Sequence, residues 1–113
     1  VPFLRFKGFT ASFLKQFTPS LVEEFSNLVK IPQEIVKVEL LDIQIITNTP
    51  RSLEILMFQR AQELHDAIAS KLHRMLVEFG YENVHIFFVI LSPALYYKEG
   101  QPLLHVQSQS QPV

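Results

Sequence analysis

The sequence contains no cysteine. A disulfide scaffold, an iron–sulfur site, a thiolate zinc site and a Cys nucleophile are therefore all excluded. Glycine occurs only three times. No GxGxxG, P-loop or GxSxG pattern is present, so the turns that cradle phosphates or expose a nucleophilic serine are missing. No apolar run approaches the roughly 20 residues of a membrane span, and the longest, residues 86–91, is strand-sized. The amino-terminal stretch lacks a basic region, a long apolar core and a small-residue cleavage site, so a cytoplasmic protein without a membrane partner is expected. Positive charge is not in excess either. Ten Lys and Arg are set against eleven Asp and Glu, for a net charge of −1, and both kinds are dispersed. That argues against nucleic acid as a partner, because such binding depends on clustered cations facing phosphates. The four histidines, His65, His73, His85 and His105, show no i, i+3 or i, i+4 pairing and no HExxH pattern, so neither a metal nor another cofactor is expected.

What the chain does have is apolar surface. Hydrophobic residues make up 48 % of 113 positions, with ten Phe and three Tyr. One domain of this length buries a limited fraction of its own surface. Part of this apolar content is expected to face a partner chain.

The periodicities give an element order. Residues 1–7 alternate Phe3, Arg5 and Lys7 against Leu4 and Phe6, as a strand does, and stop at Gly8. Residues 11–30 have helical spacing, and Thr18-Pro19 is a helix-start signal, so one helical region broken or kinked near Pro19 is predicted. Residues 35–47 are β-rich, with an apolar phase that slips by one at Leu40-Leu41, as at a bulge or bend. Residues 53–59 form an apolar strand expected to be central and covered on both faces. Residues 61–79 are the clearest helix, with an apolar stripe of Ala61, Leu64, Ala67, Ile68, Leu72, Met75, Leu76 and Phe79. His65 and His73 are assigned to its polar side, as surface residues. Residues 83–91 are the last strong strand; 94–100 suit a short hairpin or cap.

The predicted fold is therefore α+β, a two-layer α/β arrangement of tandem β-α-β units. Right-handed crossovers would place both helices on one face of a four-stranded mixed sheet. Nothing in the chain remains to cover the other face, expected to be apolar, so oligomerisation through it is inferred. The domain is assigned to residues 1–100. Residues 101–113 form a polar Gln/Ser tail, expected to be mobile unless a neighbouring chain pins it.

Few residues carry chemistry. Arg60 stands where the third strand gives way to the second helix. There a guanidinium and a helix N-terminus can together hold a carboxylate, or Arg60 can be a solvated or salt-bridged junction residue. Arg5 projects from the first strand opposite Leu4 and Phe6, as a functional group or as an interface ion pair. Tyr96 and Tyr97 follow the last strand, as packing residues or as functional side chains. Pro2 has a mechanism attached only if its nitrogen is a free amine. An α-amino group titrates near pH 8, and an apolar pocket disfavours its protonated form, so it would serve as a general base and acid. Val1 is either a GTG-encoded start, read as Met in the cell, or a residue that stays and makes the Pro2 nitrogen an amide. Otherwise Pro2 simply begins an edge strand without costing a hydrogen bond.

Several segments together resemble a known family. They are Pro2-Phe3-Leu4-Arg5-Phe6-Lys7-Gly8, Met57-Phe58-Gln59-Arg60 running into Ala61-Gln62-Glu63-Leu64-His65-Asp66, Gly80-Tyr81-Glu82-Asn83-Val84 and Tyr96-Tyr97-Lys98-Glu99-Gly100. They are similar to a small bacterial family of unknown function within the tautomerase superfamily, which includes 4-oxalocrotonate tautomerase and macrophage migration inhibitory factor. The resemblance implies a homotrimer whose sheets form a barrel-like core with the helices outside. It implies an amino-terminal proline as the catalytic base and pockets at subunit junctions. Carried onto this chain, Pro2 would be the base, Arg60 the carboxylate holder, and Phe3, Arg5, Tyr96 and Tyr97 pocket walls. The implied activity is a cofactor-free keto–enol tautomerase or isomerase acting on a small carboxylate. The alternative is a non-catalytic trimeric module that binds a small molecule or a protein.

Overall fold

The computed structural model describes residues 1–103. Four strands form one sheet in the order β2-β1-β3-β4, with β1 at Phe3–Lys7, β2 at Lys37–Leu41, β3 at Ser52–Phe58 and β4 at His85–Leu91. β1 runs parallel to β2 and β3 runs parallel to β4, whereas β1 and β3 are antiparallel. Helix α1 (Ala11–Val29) bridges the first pair and α2 (Gln62–Glu78) the second. The sheet is thus mixed and built from two β-α-β units, as the sequence predicts. A two-residue hairpin, β5 (Tyr97–Lys98) with β6 (Gln101–Pro102), follows β4. Gln101 and Pro102, which open the segment read as a tail, form the hairpin's second strand. The rest of the segment assigned as a tail, residues 104–113, lies outside the described residues.

Strand alternation sorts the side chains between the two sheet faces. Leu4, Phe6, Leu53, Ile55 and Met57 point toward the helices and are buried. They meet Phe13, Phe17, Leu21 and Phe25 of α1 and Ile68, Leu72 and Leu76 of α2. Each fully buried Leu or Phe contributes about 1.5–3 kcal/mol of transfer free energy. An aromatic ladder closes the end of the core away from Pro2. Phe9, Phe13 and Phe17 stack in series, and Phe79 and Tyr81 pack onto Phe13 at 5.5 and 4.5 Å between ring centroids.

Four expectations need correction. First, Thr18-Pro19 does not break the first helix, which runs over Ala11–Val29 as its spacing predicts and is capped by Thr10: Thr10 Oγ1 accepts from the Phe13 N–H at 3.1 Å. Pro19 is tolerated because it lies on the exposed side of the helix, where water satisfies the carbonyl that its missing N–H leaves free. Beside it, Thr18 Oγ1 donates to Leu14 O at 2.6 Å, a bond within the helix rather than a cap. Second, β2 covers only Lys37–Leu41 of the predicted 35–47 run. β2 is an edge strand and its one partner among the described residues, β1, ends at Lys7, so Ile43, Ile45 and Ile46 pair with none of the described residues and are exposed. The phase slip at Leu40-Leu41 marks the end of the strand, not a bulge within it.

Third, His65 is not a surface residue. It is 7 % exposed and shares the buried face of α2 with Ile68 and Leu72, three and seven residues on. Ala61 and Ala67 of the predicted stripe are exposed instead. Fourth, the open face of the sheet is only partly apolar. Phe3, Leu56, Phe58, Phe87, Val89 and Leu91 lie on it by alternation, but Arg5, Glu39 and Glu54 occupy its middle. Arg5 Nε donates to Glu39 Oε1 at 3.2 Å, and its Nη1 lies 3.8 Å from Glu54 Oε1. Among the described residues no helix is long and apolar enough to cross a membrane.

Candidate functional site

Strand directions gather most of the candidate residues at one end of the sheet. β1 enters from this end, β3 and β4 leave through it, and β2 starts from it. Pro2, Lys37, Phe58, Arg60, Tyr96, the last turn of α1 and the first turn of α2 therefore share this end.

Pro2 is buried, and its carbonyl accepts the Lys37 N–H at 3.2 Å, which extends the β1–β2 ladder by one bond. Lys37 then folds back over this corner. Its Nζ donates to Ile35 O at 3.1 Å and lies 5.1 Å from the centroid of the Phe3 ring. The amine on Val1 is pushed down from 8.0 to about 5. Burial is the main cause, followed by hydrogen bonding to Lys37 and the positive charges of Lys37 and Lys98. Neither lysine stands out in the sequence. Lys37 reads there as one polar residue in an alternating strand, and only the parallel register Phe3↔Lys37 brings it to Pro2.

The other candidates are placed as follows. Arg60 Nη2 donates to Val29 O at 3.0 Å and so caps the last turn of α1, while its backbone N–H donates to His65 Nε2 at 3.1 Å. Arg60 thus ties the two helix ends together, its guanidinium to the last turn of α1 and its main chain to the first turn of α2. Ala61, the N-cap of α2, offers no side-chain cap, so the helix start retains unfilled N–H groups. Tyr96 packs edge-on against Phe58 at 5.9 Å, which makes both a wall beyond the ends of β3 and β4. Tyr97 lies in the hairpin and is 57 % exposed. Arg5 is held by Glu39 and Glu54 in the middle of the open face, separate from this end. Among the described residues no three His, Asp or Glu side chains cluster closely enough to hold a metal ion.

A hollow of about 430 Å³ lies elsewhere, between α1 and the outer edge of β2, lined by Ala11, Leu14, Thr18, Pro19, Val38 and Leu40. It contains none of the candidate residues and is wide open. The Pro2 end carries the unusual chemistry: a buried proline, the terminal amine of Val1 beside it, two lysines, an arginine and aromatic walls.

The model of a family described as "Domain of unknown function (DUF1904)" matches residues 1–102. The chain belongs to the DUF1904 family. Two solved structures are similar to this chain. A protein of unknown function from Vibrio cholerae shares 27 % identity over 89 % of this chain and 86 % of its own, with a TM-score of 0.81. A DUF1904 domain from Sebaldella termitidis shares 23 % identity over 88 % of this chain and 97 % of its own, with a TM-score of 0.80. The DUF1904 fold is also that of the tautomerase superfamily. A fused 4-OT solved as an asymmetric trimer superposes with a TM-score of 0.76 over 92 % of this chain and 98 % of its own, at 13 % identity. At that identity the likeness shows the fold alone. No curated protein matches the chain.

Proposed function

We propose that this DUF1904 chain is a cofactor-free tautomerase or isomerase of small carboxylate substrates, with Pro2 as its proton-transferring base. The observation that carries the reading is the environment at the start of β1. Burial and the charges of Lys37 and Lys98 lower an amine there to about 5. The Pro2 nitrogen, once free, would lie one residue along in the same surroundings and be neutral at pH 7. Its lone pair would take the O–H proton of an enol, and the resulting ammonium would return a proton to the neighbouring carbon. Lys37, Lys98 and Arg60 give this end of the sheet its positive charge, and each suits a carboxylate. Phe3, Phe58, Tyr96 and Tyr97 would wall the substrate, and Arg5 would steady the sheet beneath it.

The reading includes a homotrimer, assembled through the open sheet face with its apolar Phe87 and Val89. The fused 4-OT of the same fold is a trimer. A second reading has its own support. Val1 precedes Pro2, and a Val1–Pro2 peptide bond leaves the proline nitrogen an amide without basicity. The fold would then serve as a trimeric binding module for a small molecule or a protein.

The deciding experiment uses untagged protein expressed in the native host. Intact-mass measurement defines the amino terminus, and phenylenolpyruvate ketonisation is followed by absorbance. The catalytic reading expects a terminus at Pro2 and turnover that Pro2→Ala abolishes. A retained Val or Met, or turnover unchanged in Pro2→Ala, defeats it in favour of the binding module.

A further inference from the structure

The proton transfer proposed for Pro2 makes no use of His65, yet this is the least expected side chain in the core. It lies in the first turn of α2, 7 % exposed, between the sheet residue Phe88 and its own helix. Its ring meets the Phe88 ring at 4.4 Å in a T-shaped contact. Its Nε2 accepts the Arg60 N–H at 3.1 Å. An imidazole nitrogen that accepts carries no proton, so the neutral ring must hold its single proton on Nδ1. Nδ1 is buried and has no partner among the described residues.

That arrangement is locally unfavourable, because a buried polar group without a partner is destabilising. A leucine would continue the Ile68 and Leu72 stripe without the loss. What histidine adds is an acceptor for one particular N–H, that of Arg60. The same Arg60 sends its guanidinium to Val29 O, at the far helix end. Arg60 is therefore tied twice, by its main chain to α2 and by its side chain to α1. Among the described residues no carboxylate is within ion-pair distance of it. A guanidinium has five N–H donors in a fixed fork, and the bond to Val29 uses one.

We propose that His65 is a positioning residue that acts through Arg60. Its neutral, Nδ1-protonated ring locks the junction between β3 and α2, so that the guanidinium is held at the end of α1 with its remaining donors available for an anionic group. Only the identity of that anion, a small carboxylate, rests on the function proposed above. The lock itself does not.

The test is made on the full chain labelled with nitrogen-15. The expected results are a scalar coupling across the hydrogen bond between the Arg60 amide nitrogen and His65 Nε2, and a histidine spectrum showing the Nδ1-protonated tautomer. His65→Gln keeps an acceptor near the Nε2 position, whereas His65→Leu keeps only the bulk. Exchange of the Arg60 Nε–H with water should quicken several-fold in His65→Leu and stay near wild type in His65→Gln. A histidine that merely fills space would leave that exchange unchanged in both. The proposal is overturned by an absent coupling, by a proton on Nε2, or by an Arg60 signal indifferent to His65→Leu. The wild-type coupling is decisive even if a variant fails to fold. Titration with phenylpyruvate separates the two readings. With the lock in place and no shift at the Arg60 guanidinium, the assignment of Arg60 to a carboxylate fails and the positioning role of His65 stands.

Discussion

Lys37 Nζ stands 5.1 Å from the centroid of the Phe3 ring, on the parallel strand that begins beside Pro2. The placement puts a cation over the apolar corner where β1 starts, and it bears directly on the amine there. In protein that starts at Val1, that amine titrates at about 5 instead of 8.0. The folded state thus binds this proton more weakly than the unfolded chain does. Above pH 8 neither state holds the proton and the group has no effect on stability. As pH falls from 8 toward 5 the unfolded chain takes up the proton first, so stability declines across that window and levels off below it. Reductive methylation with carbon-13 and NMR titration should give a Val1 midpoint near 5 in the wild type. In Lys37→Met the midpoint should rise toward 8. A wild-type midpoint near 8 would remove the physical basis for a neutral amine at Pro2.

The start of α1 offers a direct comparison of two threonines. Thr10 caps the helix by accepting the Phe13 N–H, whereas Thr18 only bonds back to Leu14 O within it. Thr10→Ala should lower the unfolding free energy by about 1 kcal/mol, the usual loss for an N-cap threonine. Thr18→Ala should change it by less than about 0.5 kcal/mol, since hydroxyl bonds to the preceding turn add little to a helix. Urea unfolding of the two variants checks the pair. The reverse ranking would mean that the helix does break at Pro19.

Much of the architecture was legible in hydrophobic spacing, for a physical reason. β1 and α2 each bury one face along most of their length, so their periods of 2 and 3.6 survive in the sequence, while β3 and β4 show there as apolar runs of strand length. β2 is shorter than its apolar spacing suggests because a strand extends only as far as its partner. Ile43, Ile45 and Ile46 have β-type side chains, but β1 ends at Lys7. His65 borders the apolar stripe in the sequence, and only the packing of Phe88 against the first turn of α2 decides that it is inside. The candidate site was half legible. Pro2, Arg60 and Tyr96 could be named from chain position, but Lys37 could not, because its nearness to Pro2 exists only in the β1–β2 register.

Gly8 ends β1 with φ +88 and packs beneath Arg51. A Cβ built there would lie 3.0 Å from Arg51 Cγ and 3.3 Å from Arg51 Cα. Arg51 cannot easily give way, because its Nε donates to Gly8 O at 2.9 Å and its guanidinium lies 5.1 Å from the Tyr81 ring centroid. Gly8→Ala should therefore destabilise by about 1–3 kcal/mol, combining left-handed backbone strain with the loss of that contact. Thermal unfolding measures the loss. A variant as stable as the wild type would show that the turn relaxes without disturbing Arg51.

The open sheet face carries the prediction about assembly. Phe87 is 43 % exposed and Val89 36 % in the isolated chain. Alternation puts both on the face away from the helices, next to the Arg5–Glu39–Glu54 group. Burying that face against other copies would cover the aromatic and aliphatic side chains and keep the charged group paired within its own chain, which avoids an uncompensated buried charge. Phe87→Lys would place an unpaired cation in the apolar part of the interface. It should shift sedimentation from a trimer to a monomer while leaving the helix content seen by circular dichroism unchanged, because the Phe87 side chain takes no part in the core between sheet and helices. Arg5→Glu should dissociate the assembly too, by setting three carboxylates together on one face. A trimer that survives both substitutions would place the subunit contact elsewhere, and the outer edge of β2 would then be the next surface to alter.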